Sequence, residues 1–208
     1  ELQTTAYWLT AEGAARGCFV MKPDGREISP ALEAFSGAQL AAIDFTNPAA
    51  VAWFQGKLAR LLDDGVAVFK SDFGEQAPVD AVYRDGRDGL TLHNVYPLLY
   101  NKAVFELTER RFGRGLTWGR SGYAGSQRYP VQWGGDSYAS LDQMAGQLRG
   151  LLSYGMSGVP FCSHDAGGFD YAPGHFDAHP QMALHDTYGG ETDAGQDATV
   201  YLRWLQFA

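Results

Sequence analysis

Two carboxylates at the ends of apolar runs carry the chemistry this sequence suggests first. Asp72 closes the run "VAVFKSD", with Lys70 two residues before it. Asp136 follows "VQWGG" and precedes a helical pattern. Two carboxyl groups flanking one bond are what cleavage of a glycosidic linkage needs. One attacks the anomeric carbon or activates a water, and the other protonates the leaving oxygen. Their environments must differ, because at one pH one group is ionised while the other holds its proton. Lys70 and Asp72 share a face of a strand, and a neighbouring cation favours a charged carboxylate, so Asp72 is the better nucleophile candidate. Asp136 lies beside Trp133 and glycines, where partial desolvation would hold a proton. Each also has an ordinary reading: Asp72 as a loop-start aspartate capping backbone amides, Asp136 as a helix N-cap.

Further polar residues end apolar runs. Arg120 in "GLTWGRSG" is either a surface strand-end residue or a donor to hydroxyls. His164 and Asp165 in "VPFCSHDAGG" are either a structural pair or part of a site. Other chemistries find no motif: the sequence has no GxSxG elbow, no GxxxxGK[ST] phosphate loop and no HExxH zinc helix. His175, His179 and His185 fall in the polar stretch "GHFDAHPQMALHD", which reads as a solvated loop before it reads as a metal cluster.

These residues need a scaffold, and the composition sets its class. The chain has 208 residues, 45% hydrophobic and 19% charged, enough for one domain with a sizeable core. The net charge of −8 argues against a nucleic-acid partner, which requires clustered Lys and Arg. No apolar run approaches the roughly 18 residues of a membrane span. The N-terminus "ELQTTAYWLT" lacks the blocks of a signal peptide and a starting Met, so residues upstream are expected. Cys18 and Cys162 form no metal or redox motif and read as two free or buried thiols. That favours a reducing, cytoplasmic compartment. Glycine (26 residues) crowds the loops after apolar runs, and the aromatics (13%) among them are suited to walling a pocket, as in sites that stack on pyranose rings.

The elements alternate. "AAIDF" reads as a short strand. "NPAAVAWFQGKLARLLDDG" reads as a helix with Asn47 as N-cap, Pro48 at the first helical position and Gly65 as the stop. "VAVFKSD" is a strand apolar on both faces, followed by a polar loop over Phe73 to Leu90. "HNVYPLLYNKAVFELTERRFG" is a long helix with Pro97 in its first turns and Val95, Leu99, Ala103 and Leu107 on one face. "GLTWGRSG" and "PVQWGGD" are short strands. "SLDQMAGQLRGLLSYGMSG" is a helix capped by Asp136, Ser137 or Ser140. "VPFCSHDAGG" is a final strand, and "DATVYLRWLQFA" begins a helix. Strand–helix alternation without a tight hairpin implies parallel strands joined by crossover helices. In such folds the site lies at the carboxyl ends of the strands. That places Lys70, Asp72, Arg120, Asp136, His164 and Asp165 on one face.

Three stretches, "FKSDFGE", "GRSGYAGSQRYPVQWGGDS" and "SGVPFCSHDAGGF", together resemble glycoside hydrolase family 31, and within it the bacterial α-xylosidase-like members. The resemblance runs from about residue 7 to the end. It implies an α/β fold, a (β/α)8 TIM barrel, and a retaining α-glycosidase that needs neither metal nor organic cofactor. By motif position it makes Asp72 the nucleophile and Asp136 the general acid/base. Lys70, Arg120, Trp133, Asp165 and Phe169 would form the substrate-binding shell. The partner is an oligosaccharide or α-glycoside of terminal xylose or glucose, with no nucleic acid and no membrane, and the full-length parent could assemble as a homo-oligomer. A complete barrel has eight strands, and the four major ones counted here look like strands four to seven. Residues 1–208 are therefore expected to be an incomplete catalytic barrel, inactive alone because its sheet edges are open. Transglycosylation by the same double displacement, or a non-catalytic sugar-binding remnant, are the competing functions. Retention of both aspartates speaks against the second.

Overall fold

Where the sequence offers a helix cap, a helix starts. The computed structural model describes residues 2–5, 10–32, 40–169 and 198–208. It divides into two units, Glu1–Gln132 and Trp133–Ala208. The first holds β1 (Leu2–Thr5), α1 (Ala11–Ala15), β2 (Pro30–Leu32), β3 (Leu40–Ala41), α2 (Pro48–Asp63), β4 (Phe69–Asp72), α3 (Gly89–Leu92), α4 (Tyr96–Phe112) and β5 (Trp118–Gly119). β6 (Gln132–Trp133) begins at its last residue. The second holds α5 (Leu141–Met156), β7 (Cys162–Ser163) and α6 (Ala198–Phe207).

In the first unit, the Asn47 side chain accepts the Ala49 N–H at 3.0 Å and Pro48 opens α2, as the cap and proline predict. Gly65 follows the helix at φ +102°, a conformation that favours glycine. α4 carries Pro97 in its first turn and ends on the left-handed Gly113. Its buried stripe is Tyr96, Tyr100, Ala103, Val104 and Leu107. Val95 and Leu99, expected on that face, are only partly buried. The reason is geometric: four-residue steps drift off a stripe that repeats every 3.6 residues. Phe45 stacks on Tyr100 at 5.5 Å and meets Phe54 of α2 edge-on at 5.3 Å. Each such buried ring contributes about 1.5–3 kcal/mol, and together they fix α2 against α4.

That packed layer supports a parallel sheet. β4 lies between β1 (Leu2 opposite Phe69 through Thr5 opposite Asp72) and β5 (Lys70 opposite Trp118). Gly119 of β5 pairs in turn with Gln132. β1 adds a parallel strand to those picked out in the sequence. "AAIDF" does not join this sheet. β3 pairs antiparallel with β2, and Ile43 bridges Phe19 antiparallel. Asp44 stays buried there because its carboxylate accepts the N–H groups of Thr46 (2.9 Å) and Arg84 (2.6 Å).

In the second unit the cap of α5 is Ser140, whose Oγ accepts the Gln143 N–H at 3.2 Å. The Gly134 N–H donates to the Ser163 carbonyl at 3.0 Å, joining the end of β6 to β7. α6 forms where "DATVYLRWLQFA" predicts it, with Trp204 fully buried. Among the described residues, no helix is long and apolar enough to cross a membrane.

Candidate active site

The carboxyl end of β4 delivers Asp72 into a buried setting, 5% exposed. Its Oδ1 takes two donors: the N–H of Phe73 at 2.9 Å and Nη1 of Arg120 at 2.9 Å. Arg120 leaves the end of β5 and is itself largely buried, so the pair offsets charge taken out of water. The expected companion, Lys70, is half-buried with its ammonium 5.2 Å from the centre of the Trp118 ring. Arg120 places a guanidinium on Asp72. Asp72 is also more than an amide cap: Asp44 shows what such a cap looks like here, with N–H groups of loops on both its oxygens.

The loop after Asp72 is held to the end of β5. The Ser121 Oγ donates to the Phe73 carbonyl at 2.7 Å, and Asn101 of α4 donates to the Ser121 carbonyl at 2.9 Å. Phe73 sits at φ +58°, left-handed for a residue with a side chain, which costs about 1–2 kcal/mol. Its N–H bond to Asp72 and the Arg120 guanidinium 4.1 Å over its ring offset that strain. Gly74 follows at φ +105°, and a Cβ there would run into the Ser121 Oγ. Gly74→Ala is expected to destabilise the protein by about 2 kcal/mol or more. Denaturant midpoints of variant and wild type check this; equal midpoints would show that the loop gives way freely.

In the second unit, two of the sequence motifs meet. The Phe169 N–H donates to the Ser137 carbonyl at 2.7 Å, and Gly168, at φ +89°, approaches Ala139 so closely that a Cβ would lie 2.6 Å from its backbone. The loop bearing Asp165 and Phe169 is thereby docked on the loop bearing Asp136. Trp133 is 1% exposed at the head of that loop, and Gln147 of α5 ties Gly134 down at 3.1 Å. Asp136 is exposed and does not cap α5. Its ordinary reading as a helix cap falls, because Ser140 takes that place. Phe169 is exposed and Asp165 half-buried. His164 stacks on Phe207 at 4.2 Å, so it serves the packing of α6.

Lys70, Asp72 and Arg120 are thus gathered in the first unit, and Trp133, Asp136, Asp165 and Phe169 in the second. Sequence reasoning left Glu75 without a role, yet its Oε1 accepts Arg120 Nη2 at 2.6 Å. Only its place three residues after Asp72 hinted at it. Both cysteines are free, and burial pushes each thiol up, away from the thiolate a nucleophile needs. No group of His, Cys, Asp and Glu among the described residues could hold a metal ion. His175, His179 and His185 lie outside the described residues.

Known proteins resemble this chain in sequence and in fold. The chain is 46% identical over 139 residues to an α-xylosidase of Emericella nidulans, an alignment spanning 65% of this chain and 18% of that protein. It is 46% identical over 171 residues to the α-xylosidase XylQ of Lactiplantibacillus pentosus, spanning 79% and 19%. A sulfoquinovosidase structure from E. rectale superposes with a TM-score of 0.79 at 27% identity, covering all of this chain and 30% of that one. The chain therefore spans about a fifth of the length of these curated relatives. Residues 2–208 match the family model "Glycosyl hydrolases family 31 TIM-barrel domain", and the chain belongs to glycoside hydrolase family 31.

Proposed function

We propose that the protein to which this chain contributes is a retaining α-glycosidase that removes terminal α-linked xylose or glucose by double displacement. The observation that carries this reading is Asp72: a buried carboxylate at the carboxyl end of a parallel strand, ion-paired to Arg120 and fixed by a strained loop. Asp72 attacks the anomeric carbon while Asp136 gives its proton to the departing oxygen, leaving the sugar as an ester on Asp72. Asp136, now a carboxylate, takes a proton from water. That water attacks the same carbon and frees Asp72. The exposure of Asp136 supports its second step, which needs water within reach. Lys70, Arg120, Trp133, Asp165 and Phe169 line the sugar site in this reading. No metal or organic cofactor enters the chemistry. Two free thiols fit a reducing compartment.

The 46% identity to two α-xylosidases favours xylose over glucose. The sugars differ by one hydroxymethyl group, for which a pocket discriminates by about 1–3 kcal/mol. The full-length enzyme is expected to hydrolyse 4-nitrophenyl α-xyloside about tenfold or more faster than the α-glucoside, and to release the α-anomer first by NMR. A β-anomer as first product, or no turnover of either glycoside, overturns the reading. The 208-residue chain assayed alone is expected to stay inactive, because a barrel site draws on strand ends around the whole ring.

A further inference from the structure

Ser137, next to the proton-donor candidate, is 2% exposed, whereas Asp136 before it and Tyr138 after it are both exposed. Exposed, buried, exposed is the alternation of an extended segment. It puts the Asp136 and Tyr138 side chains on one side, two residues or about 6.6 Å apart. Tyr138 keeps 40% of its surface in solvent although its backbone is fixed on both sides. The Ser137 carbonyl accepts the Phe169 N–H at 2.7 Å, and the Tyr138 carbonyl accepts the Ser140 N–H at 2.8 Å. Gly168 lies against the same backbone: a Cβ added there would come within 2.9 Å of the Tyr138 carbonyl carbon. Ser140 in turn caps α5. A rigid stretch of chain here presents an aromatic ring rather than burying it.

We propose that Tyr138 is the platform for the leaving group of the glycoside, and that this group is a pyranose whose apolar face stacks on the ring; the proposal rests on the reading of Asp136 as the proton donor. A donor must stand within hydrogen-bond reach of the departing oxygen. A residue on the donor's own side therefore faces whatever that oxygen carries. The weakly positive C–H hydrogens of a pyranose face complement the negative face of an aromatic ring. Tyrosine offers that contact with only two rotatable bonds to immobilise, and a backbone already fixed lowers the ordering cost further. Phe169, exposed and bonded to Ser137, brings a second ring to the same loop. The substrate class is then a glycoside on a sugar, since a small alkyl group is too narrow to cover such a surface.

The test uses the full-length enzyme with two kinds of substrate. One is α-xylosyl fluoride, whose leaving group is a single atom with no ring to stack and no need of a proton donor. The other is a xylosyl-glucose disaccharide, the best wild-type substrate among the α-1,2, α-1,3, α-1,4 and α-1,6 linkages. Tyr138→Ala is expected to raise KM for the disaccharide roughly tenfold and to change kcat/KM for the fluoride by less than about twofold. Tyr138→Phe keeps the ring and is expected to stay within about twofold of wild type on both. Should Tyr138→Ala fail to fold, Tyr138→Leu, apolar but not flat, decides by the same pattern. A wild-type KM for the disaccharide in these variants, or an equal loss on both substrates, overturns the platform while the glycosidase reading stands. So does a wild-type enzyme that cleaves the fluoride and none of the disaccharides. If Asp136→Ala loses no more on the disaccharide than on the fluoride, the donor reading falls and the platform with it.

Discussion

Asp72→Ala in the full-length enzyme is expected to lower kcat on an aryl α-glycoside by on the order of 10⁵-fold, the scale of removing a covalent nucleophile. The loss should fall on kcat rather than KM, since the missing bond forms only on the way to the transition state. Truncation also leaves a small anion-sized space beside Arg120, which held the carboxylate at 2.9 Å. Azide can enter that space and attack the anomeric carbon directly. A single displacement inverts, so the rescued product is the β-glycosyl azide. Product configuration by NMR and rates with and without azide check this. Unchanged activity in the variant would remove Asp72 from the reaction altogether.

Asp136→Ala should behave differently, because a proton donor matters in proportion to the leaving group's need for it. With an aryl group that departs as a stable anion, the first step loses little. With a sugar leaving group, it loses about 10²–10⁴-fold. The second step loses its base in either case, so the glycosyl ester accumulates and KM falls along with kcat. Azide needs no base and attacks that ester. This is the second inversion, so the product is the α-glycosyl azide. Opposite azide configurations from the two variants would separate nucleophile from acid/base on chemistry alone. A loss in Asp136→Ala that is the same for every leaving group, with no azide product, would show that Asp136 is structural.

Much of this was legible because it is local. Asn47 with Pro48 and Gly65 mark helix ends by their own backbone preferences, and the structure puts the ends there. Asp72 at the exit of an apolar strand is likewise a statement about neighbours in sequence. What could not be read depends on distant partners. β1 is "LQTT", with neither an apolar run nor alternation, and becomes a strand because β4 offers it a register. "AAIDF" has strand composition, but its partners are the antiparallel residues of 19 and 30–32 rather than the sheet. Three residues were equal candidates to cap α5; the backbone turns helical after Ser140, which releases Asp136 from that duty. Glu75 has no signature of its own, since its pairing is set by Arg120, forty-five positions later.

The loop that holds Asp72 is completed only by residues of the next strand. Ser121 reaches back forty-eight positions to the Phe73 carbonyl, and Asn101 of the intervening helix holds Ser121 in turn. During synthesis β4 leaves the ribosome with Phe73 still lacking its Arg120 and Ser121 contacts and Asp72 still lacking its Arg120 pair. Neither is settled until α4 has packed and β5 has docked beside β4. Assembly of the Asp72–Arg120 pair is thus a late event of folding, contingent on long-range pairing. A chain arrested before that docking has its aspartate in sequence but not in place.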